Sequence, residues 1–116
     1  YLGERGQREG WRNVRAVQVA AGETGLRAAS VDRVLIVDVW HHLGDRVAYA
    51  RQLAAALRPG GAVIVVDFTL DATRGPPPAH RLAPEVIVGE LTAAGLDAPG
   101  VKESLPAQYV IVARRR

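Results

Sequence analysis

The chain has 116 residues, enough for one domain with a modest core, and 48% of them are hydrophobic, which argues for a globular protein and against disorder. It has no cysteine, so disulfides and thiolate metal sites are excluded, and no apolar run approaches the ~20 residues that span a bilayer. The net charge of +3 comes almost wholly from scattered arginines, Lys102 being the only lysine, and aromatics make up 5%; no nucleic-acid or membrane interface is expected from that pattern.

In chain order, residues 2–10 read as the end of a helix stopped by Gly10, and Asn13 to Val19 as a short strand carrying Val14, Val17 and Val19. Residues 20–30 form a loop broken by Gly22 and Gly25. Asp32 to Val39 is the clearest strand, a continuous apolar run that ends in acid and leads into Trp40-His41-His42. Asp45 suits a helix N-cap, and Val47, Ala50, Leu53, Ala54 and Leu57 then recur at helical spacing. That helix is expected to end at Pro59-Gly60-Gly61, before a second apolar strand from Ala62 to Phe68.

Residues 70–82 hold Gly75-Pro76-Pro77-Pro78 and read as a rigid loop. A helix starts near Pro84, presents Val86, Ile87, Leu91 and Ala94 on one face, and is capped by Gly95. Two strands follow, Gly100 to Leu105 and Gln108 to Ala113, separated only by Pro106-Ala107 and therefore paired antiparallel. The order is that of an α/β layered fold with an antiparallel edge. Continuous apolar strands predict burial on both sheet faces, and in open sheets of this kind ligands bind beyond the carboxyl ends of the strands. Asp38 to His42 and Asp67 to Thr69 are the residues placed there.

The set of segments resembles the C-terminal half of a class I S-adenosylmethionine-dependent methyltransferase of the small-molecule branch. Asn13-Val-Arg-Ala-Val17 is similar to the third strand of that fold, and Leu26 through Ser30 and Asp38-Val-Trp-His-His-Leu43 to the lead-in and fourth strand. Leu57-Arg-Pro-Gly-Gly through Asp67-Phe68 resembles the fifth strand and its lead-in, Gly75 to Leu96 the loop and helix that follow, and Tyr109-Val-Ile-Val112 the closing strand. The implied fold is α/β: a Rossmann-like, three-layer methyltransferase sheet lacking its first two strands, with an antiparallel C-terminal edge hairpin. The implied domain is partial and occupies residues 1–116, from the end of the second helix to the last strand.

There are departures from the family pattern. The chain has no G-x-G, the loop by which the family approaches the cofactor's methionine end and ribose. Methionine is absent even at position 1, and the chain is expected to be a fragment or a trimmed product. Where the family often has Gly-Asp after its third strand, to meet adenine, this chain has Val19-Ala20, and the nearest acid is Glu23.

The resemblance implies S-adenosylmethionine as cofactor, met by Glu23, Asp38 and Val39, and a small-molecule acceptor. The fragment alone is expected to lack most cofactor affinity and activity. Methyl transfer asks the protein mainly for positioning and a dry site, with a general base where the acceptor is a hydroxyl or carbon acid. His41 and His42 are the candidate bases, because imidazole titrates near pH 6.5; either one can instead pack under the sheet end. Trp40, Asp67 and His80 are candidate acceptor-pocket residues, with core packing the alternative for Trp40 and a plain strand terminus for Asp67. No metal is expected, since adjacent histidines point different ways on an extended chain. The polar, charged start Tyr1-Leu-Gly-Glu-Arg5 does not read as a signal peptide, and a cytoplasmic location is expected. The competing reading is a non-catalytic, methyltransferase-like remnant or interaction module. It would self-associate through an exposed sheet edge, or need a partner to complete the sheet.

Overall fold

The computed structural model describes residues 18–20, 22–72, 75 and 77–116. The helix expected before Gly10 lies outside them, as does most of the strand expected at Asn13 to Val19; its last two residues, Gln18 and Val19, are described and belong to no strand.

Strand β1 spans Val31–Val37. It stops two residues short of the expected end because Asp38 adopts φ +59, a left-handed conformation that turns the chain out of the ladder. A 3-10 turn follows at Trp40–His42, and then helix α1 at Arg46–Ala56. The expected cap is in place: the Ala48 N–H donates to the Asp45 carboxylate at 3.1 Å. Helix α1 buries Ala50, Leu53 and Ala56.

Strand β2 runs Leu57–Phe68 and begins five residues before the expected start. Val31 of β1 faces Leu57 and Arg33 faces Ala62, so Arg58 to Gly61 bulge out against Asp32 alone. The Pro-Gly-Gly segment is thus a bulge within a strand, not a turn before one. The ladder captures Leu57 as soon as the helix ends, and the surplus residues loop out. Gly60 supplies φ +81 there, and a Cβ on Gly61 would stand 2.9 Å from the carbonyl oxygens of both Arg58 and Asp32.

The proline-rich loop contains a 3-10 turn at Pro78–His80, where only irregular backbone was expected; a proline's fixed φ suits the start of a helical turn, and the His80 N–H closes on the Pro77 carbonyl at 2.8 Å. Helix α2 spans Pro84–Ala93 and buries Ile87 and Leu91, whereas Val86, expected on the same stripe, is exposed. Gly95, at φ +92, ends it: its N–H donates to the Thr92 carbonyl at 2.9 Å, and that of Leu96 to Leu91 at 3.2 Å, the two bonds of a Schellman cap. Strands β3, Val101–Ser104, and β4, Gln108–Arg114, pair antiparallel about Pro106-Ala107 as expected.

The sheet order is β1-β2-β4-β3, with β1 and β2 parallel and the other neighbours antiparallel. Both helices pack on one face, over a core that includes Val63, Val65, Tyr109, Ile111, Leu53 and Leu91. The opposite face is not covered among the described residues: Leu35 is 65% and Val37 45% exposed, and Ile64, Val66, Val110 and Val112 beside them are half-buried. The expectation of burial on both faces is therefore met on one face only. The Arg115 guanidinium donates to the carbonyls of Ala54, Ala55 and Leu57, adding donors at the end of α1.

The bulge makes Gly61 the backbone's tightest point between β1 and β2. Gly61→Ala is expected to lower stability in urea by about 1–3 kcal/mol, because the added carbon meets fixed backbone oxygens rather than a movable side chain. Gly44→Ala, where an added carbon meets nothing within 4 Å, is the control, expected to stay within about 0.5 kcal/mol.

Candidate functional site

The parallel pairing of β1 and β2 brings their carboxyl ends together. Val37 faces Val66, and the Asp38 N–H donates to the Val66 carbonyl at 2.8 Å. One residue further along β2, Asp67 points to the helix side of the sheet, like Val63 and Val65, and is 2% exposed. A buried carboxylate needs hydrogen-bond donors, and it has three N–H groups. The Phe68 N–H donates at 2.8 Å and the His41 N–H at 3.2 Å, while His41 Nδ1 lies 2.8 Å and 3.0 Å from its two oxygens. Nδ1 therefore carries the proton of that contact, since an ionised carboxylate can only accept. The side chain of His41 is as buried as its partner, at 2%. Its other nitrogen, Nε2, is shielded from water and has no partner among the described residues.

The turn that carries His41 is held from below. Trp40, expected to line the acceptor pocket, is instead 0% exposed in the core, edge-on to Tyr49, with its indole N–H donating to Glu90 Oε1 at 3.2 Å. A residue followed by two polar side chains at a strand end invites a pocket reading, but the 3-10 turn rotates Trp40 inward and His41 toward Asp67. Glu90 on α2 has a second donor on its other oxygen, the Arg46 guanidinium, at 2.7 Å. Asp67, also expected at the pocket, stands behind His41 rather than at its surface.

Two hollows flank the Val39 to Leu43 segment. One, of 230 Å³, is apolar and lined by Leu35, Ile36, Val37, Val39, Leu43 and Tyr49. The other, of 390 Å³, is lined by His41, His42, Arg46, Ala79, His80 and Leu82, so that of the expected residues three histidines meet there. His42 is exposed, with its ring 4.0 Å from that of His41. No group of three or more potential metal ligands occurs among the described residues. Asp38 stands between the strand ends, where its carboxylate accepts from Gln108 Nε2 at 2.6 Å. Glu23 is set apart from this cluster: its loop is tied to Gln52 in the second half of α1, through Thr24 N–H at 3.1 Å and the Gly22 carbonyl at 2.6 Å, and Glu23 itself is exposed.

Sequence reasoning missed the roles of Glu90, Arg46, Gln108 and Tyr109, which come from distant elements and carry no motif. The His41–Asp67 contact had a signal: two parallel strands of similar reach, one ending in acid and the other followed closely by histidine. Tyr109 supports the hollow from the sheet side, its hydroxyl donating to the Leu82 carbonyl at 2.8 Å. Burial, reinforced by the charges of Asp67, Glu85 and Glu90, pushes its phenol well above the ordinary value. The unfolded chain ionises this tyrosine above about pH 10 while the folded one keeps the proton, so stability falls as pH rises past that point. Tyr109→Phe is expected to cost about 1 kcal/mol at neutral pH through the lost hydrogen bond. Its urea midpoint should also decline less steeply than that of the parent chain between about pH 9 and 11.

The methyltransferase domain family model matches residues 1–65. Among solved structures, a SAM-dependent methyltransferase from Aquifex aeolicus superposes with a TM-score of 0.88 at 19% identity, over 97% of this chain and 61% of that one. The 1,6-didemethyltoxoflavin-N1-methyltransferase of Burkholderia thailandensis superposes at 0.70 with 23% identity, over 97% and 55%. The [4+2]-cyclase SpnF does so at 0.78 with 13% identity, over 97% and 60%. The chain thus spans about three-fifths of the length of these structures, and the likeness to them is one of fold. The four-stranded order and both helices follow the path of those neighbours, and with more than half of its residues matched by the family model, the chain belongs to the methyltransferase domain family.

Proposed function

We propose that the chain contributes the acceptor side of an S-adenosylmethionine-dependent methyl transfer to a small molecule, as part of a longer methyltransferase. The observation that carries this reading is the division made by residues 39–43: an apolar hollow on one flank, and on the other a hollow whose polar side chains all bear nitrogen. A sulfonium methyl donor and a polar acceptor need two such neighbouring surfaces.

The strand-end residues fit one end of the donor. Val37 and Val39 offer exposed apolar contact, and the Asp38 carboxylate has the sign a sulfonium requires. When bound, the donor supplies an already activated methyl group. The chain's own residues orient the acceptor beside it and exclude water from Nε2 of His41. His41 and His42 are the candidate bases, His80 completes the acceptor wall, and Glu23 remains a candidate for the donor's adenine end. The lack of a G-x-G in the sequence and the exposure of Leu35 and Val37 on the sheet face away from the helices support a division of labour in which other residues hold the rest of the donor.

Calorimetry with S-adenosylmethionine, on this chain and on one extended through the coding sequence upstream, tests the reading. The expected result is weak or no binding by the 116-residue chain and micromolar binding by the extended one. Equal micromolar binding by both would overturn the division of labour. Failure of both to bind would overturn the methyl-donor reading itself.

A second reading is favoured by the exposed Leu35 and Val37: the uncovered sheet recruits a partner and the chain acts as a non-catalytic module. Molecular mass in solution separates the two. A monomer at about 100 µM counts against the module, and a stable dimer or larger species supports it.

A further inference from the structure

We infer that Asp67 is a positioning residue that makes His41 the proton acceptor of this site, and that the methyl acceptor is consequently a hydroxyl compound, an alcohol or a phenol. The inference deepens the methyl-transfer reading and rests on it.

Three observations converge. His41 Nδ1 is fixed as the protonated nitrogen by a carboxylate with an oxygen 2.8 Å away. This tautomer leaves the lone pair on Nε2, and Nε2 is buried and without a partner among the described residues. An unsatisfied buried acceptor costs about 1–3 kcal/mol, which a ligand bearing an N–H or O–H donor would recover. The hollow alongside is lined by His41, His42, Arg46 and His80, with no carboxylate among its described lining residues, because Asp67 is spent on His41 and Glu90 on Arg46 and Trp40. Such a wall has nothing to attract a cationic amine and much to receive oxygen. The His42 ring makes no hydrogen bond among the described residues, so it can swing aside to admit an acceptor to Nε2 without breaking one.

The chemistry needs this pair. A hydroxyl is a weak nucleophile until its proton is removed, whereas a thiol is already partly ionised near neutrality and needs less help. As the acceptor oxygen bonds to the methyl carbon, its O–H bond breaks and the proton passes to the Nε2 lone pair. The electron pair of the methyl–sulfur bond stays with sulfur. The imidazolium formed at His41 faces the Asp67 carboxylate, which stabilises the charge without taking the proton.

Nitrogen-15 NMR of the histidine rings in the whole chain tests this without a methyl donor. Before any addition, His41 should show a protonated Nδ1 and a bare Nε2, while the exposed His42 and His80 show mixed tautomers. Millimolar phenol should shift the Nε2 signal of His41, and anisole, which has the same ring but no O–H, should not. In Asp67→Ala the tautomer preference of His41 should be lost. Since that variant can fail to fold, Asp67→Asn, which keeps the shape but not the charge, is read alongside it, and the phenol–anisole comparison needs no variant at all. A His41 with its proton on Nε2, a shift with neither probe, or equal shifts with both would overturn the inference. A failure of the extended chain as well as the 116-residue one to bind S-adenosylmethionine, alongside a normal phenol response, would instead condemn the methyl-donor reading and leave the His41–Asp67 assignment intact.

Discussion

The site rests on a carboxylate that the sheet has buried. Asp67 sits on the helix-facing side of β2 because the side-chain period of a strand puts it in line with Val63 and Val65. Left bare, the charge would be intolerable there, since an ionised carboxylate in apolar surroundings must be paired and hydrogen-bonded. Its donors come from Phe68 next along the chain and from both the backbone and the ring of His41. The electrostatic need of one residue thus dictates where the turn after β1 must go. The parallel ladder brings the two strand ends into reach, and Asp38, at φ +59, bends the chain sharply enough to use that reach. Trp40 and Glu90 then hold the turn from the core side, linking it to both helices.

Much of the fold was legible in the sequence because its signals were local. The apolar runs gave β1 and β2, Asp45 gave the start of α1, and Pro84 and Gly95 bracketed α2. What was misread depended on partners. Pro59-Gly60-Gly61 has the residues of a turn, and it bulges inside β2 only because Leu57 pairs with Val31 before it. Arg115 stands in a terminal run of arginines, and what it binds is set by the carbonyls that the distant end of α1 presents. Trp40 and Asp67 were rightly placed near the strand ends, but which way each points is decided by the 3-10 turn, for which the sequence holds no clear marker. That the histidines lie near the strand ends was legible; what holds them in place was not.

Family membership narrows the chemistry without fixing it. The same fold carries a methyltransferase in Aquifex aeolicus and a [4+2]-cyclase in SpnF, so strand order alone names no reaction. What favours proton transfer is one shielded nitrogen and the carboxylate behind it, a pair that would behave alike on any scaffold that held them so. Among the described residues, Leu35 and Val37 leave apolar area exposed on the sheet face away from the helices.

The most direct test of the central claim is a double-mutant cycle between His41 and Asp67, read by urea unfolding at pH 7. If the buried pair organises the strand ends, His41→Gln, Asp67→Asn and the double variant should reveal a coupling of about 1.5–3 kcal/mol, the range for a hydrogen bond to a charged group. Additive losses, with no coupling beyond about 0.5 kcal/mol, would mean that the two side chains are neighbours without being partners, and would contradict the account.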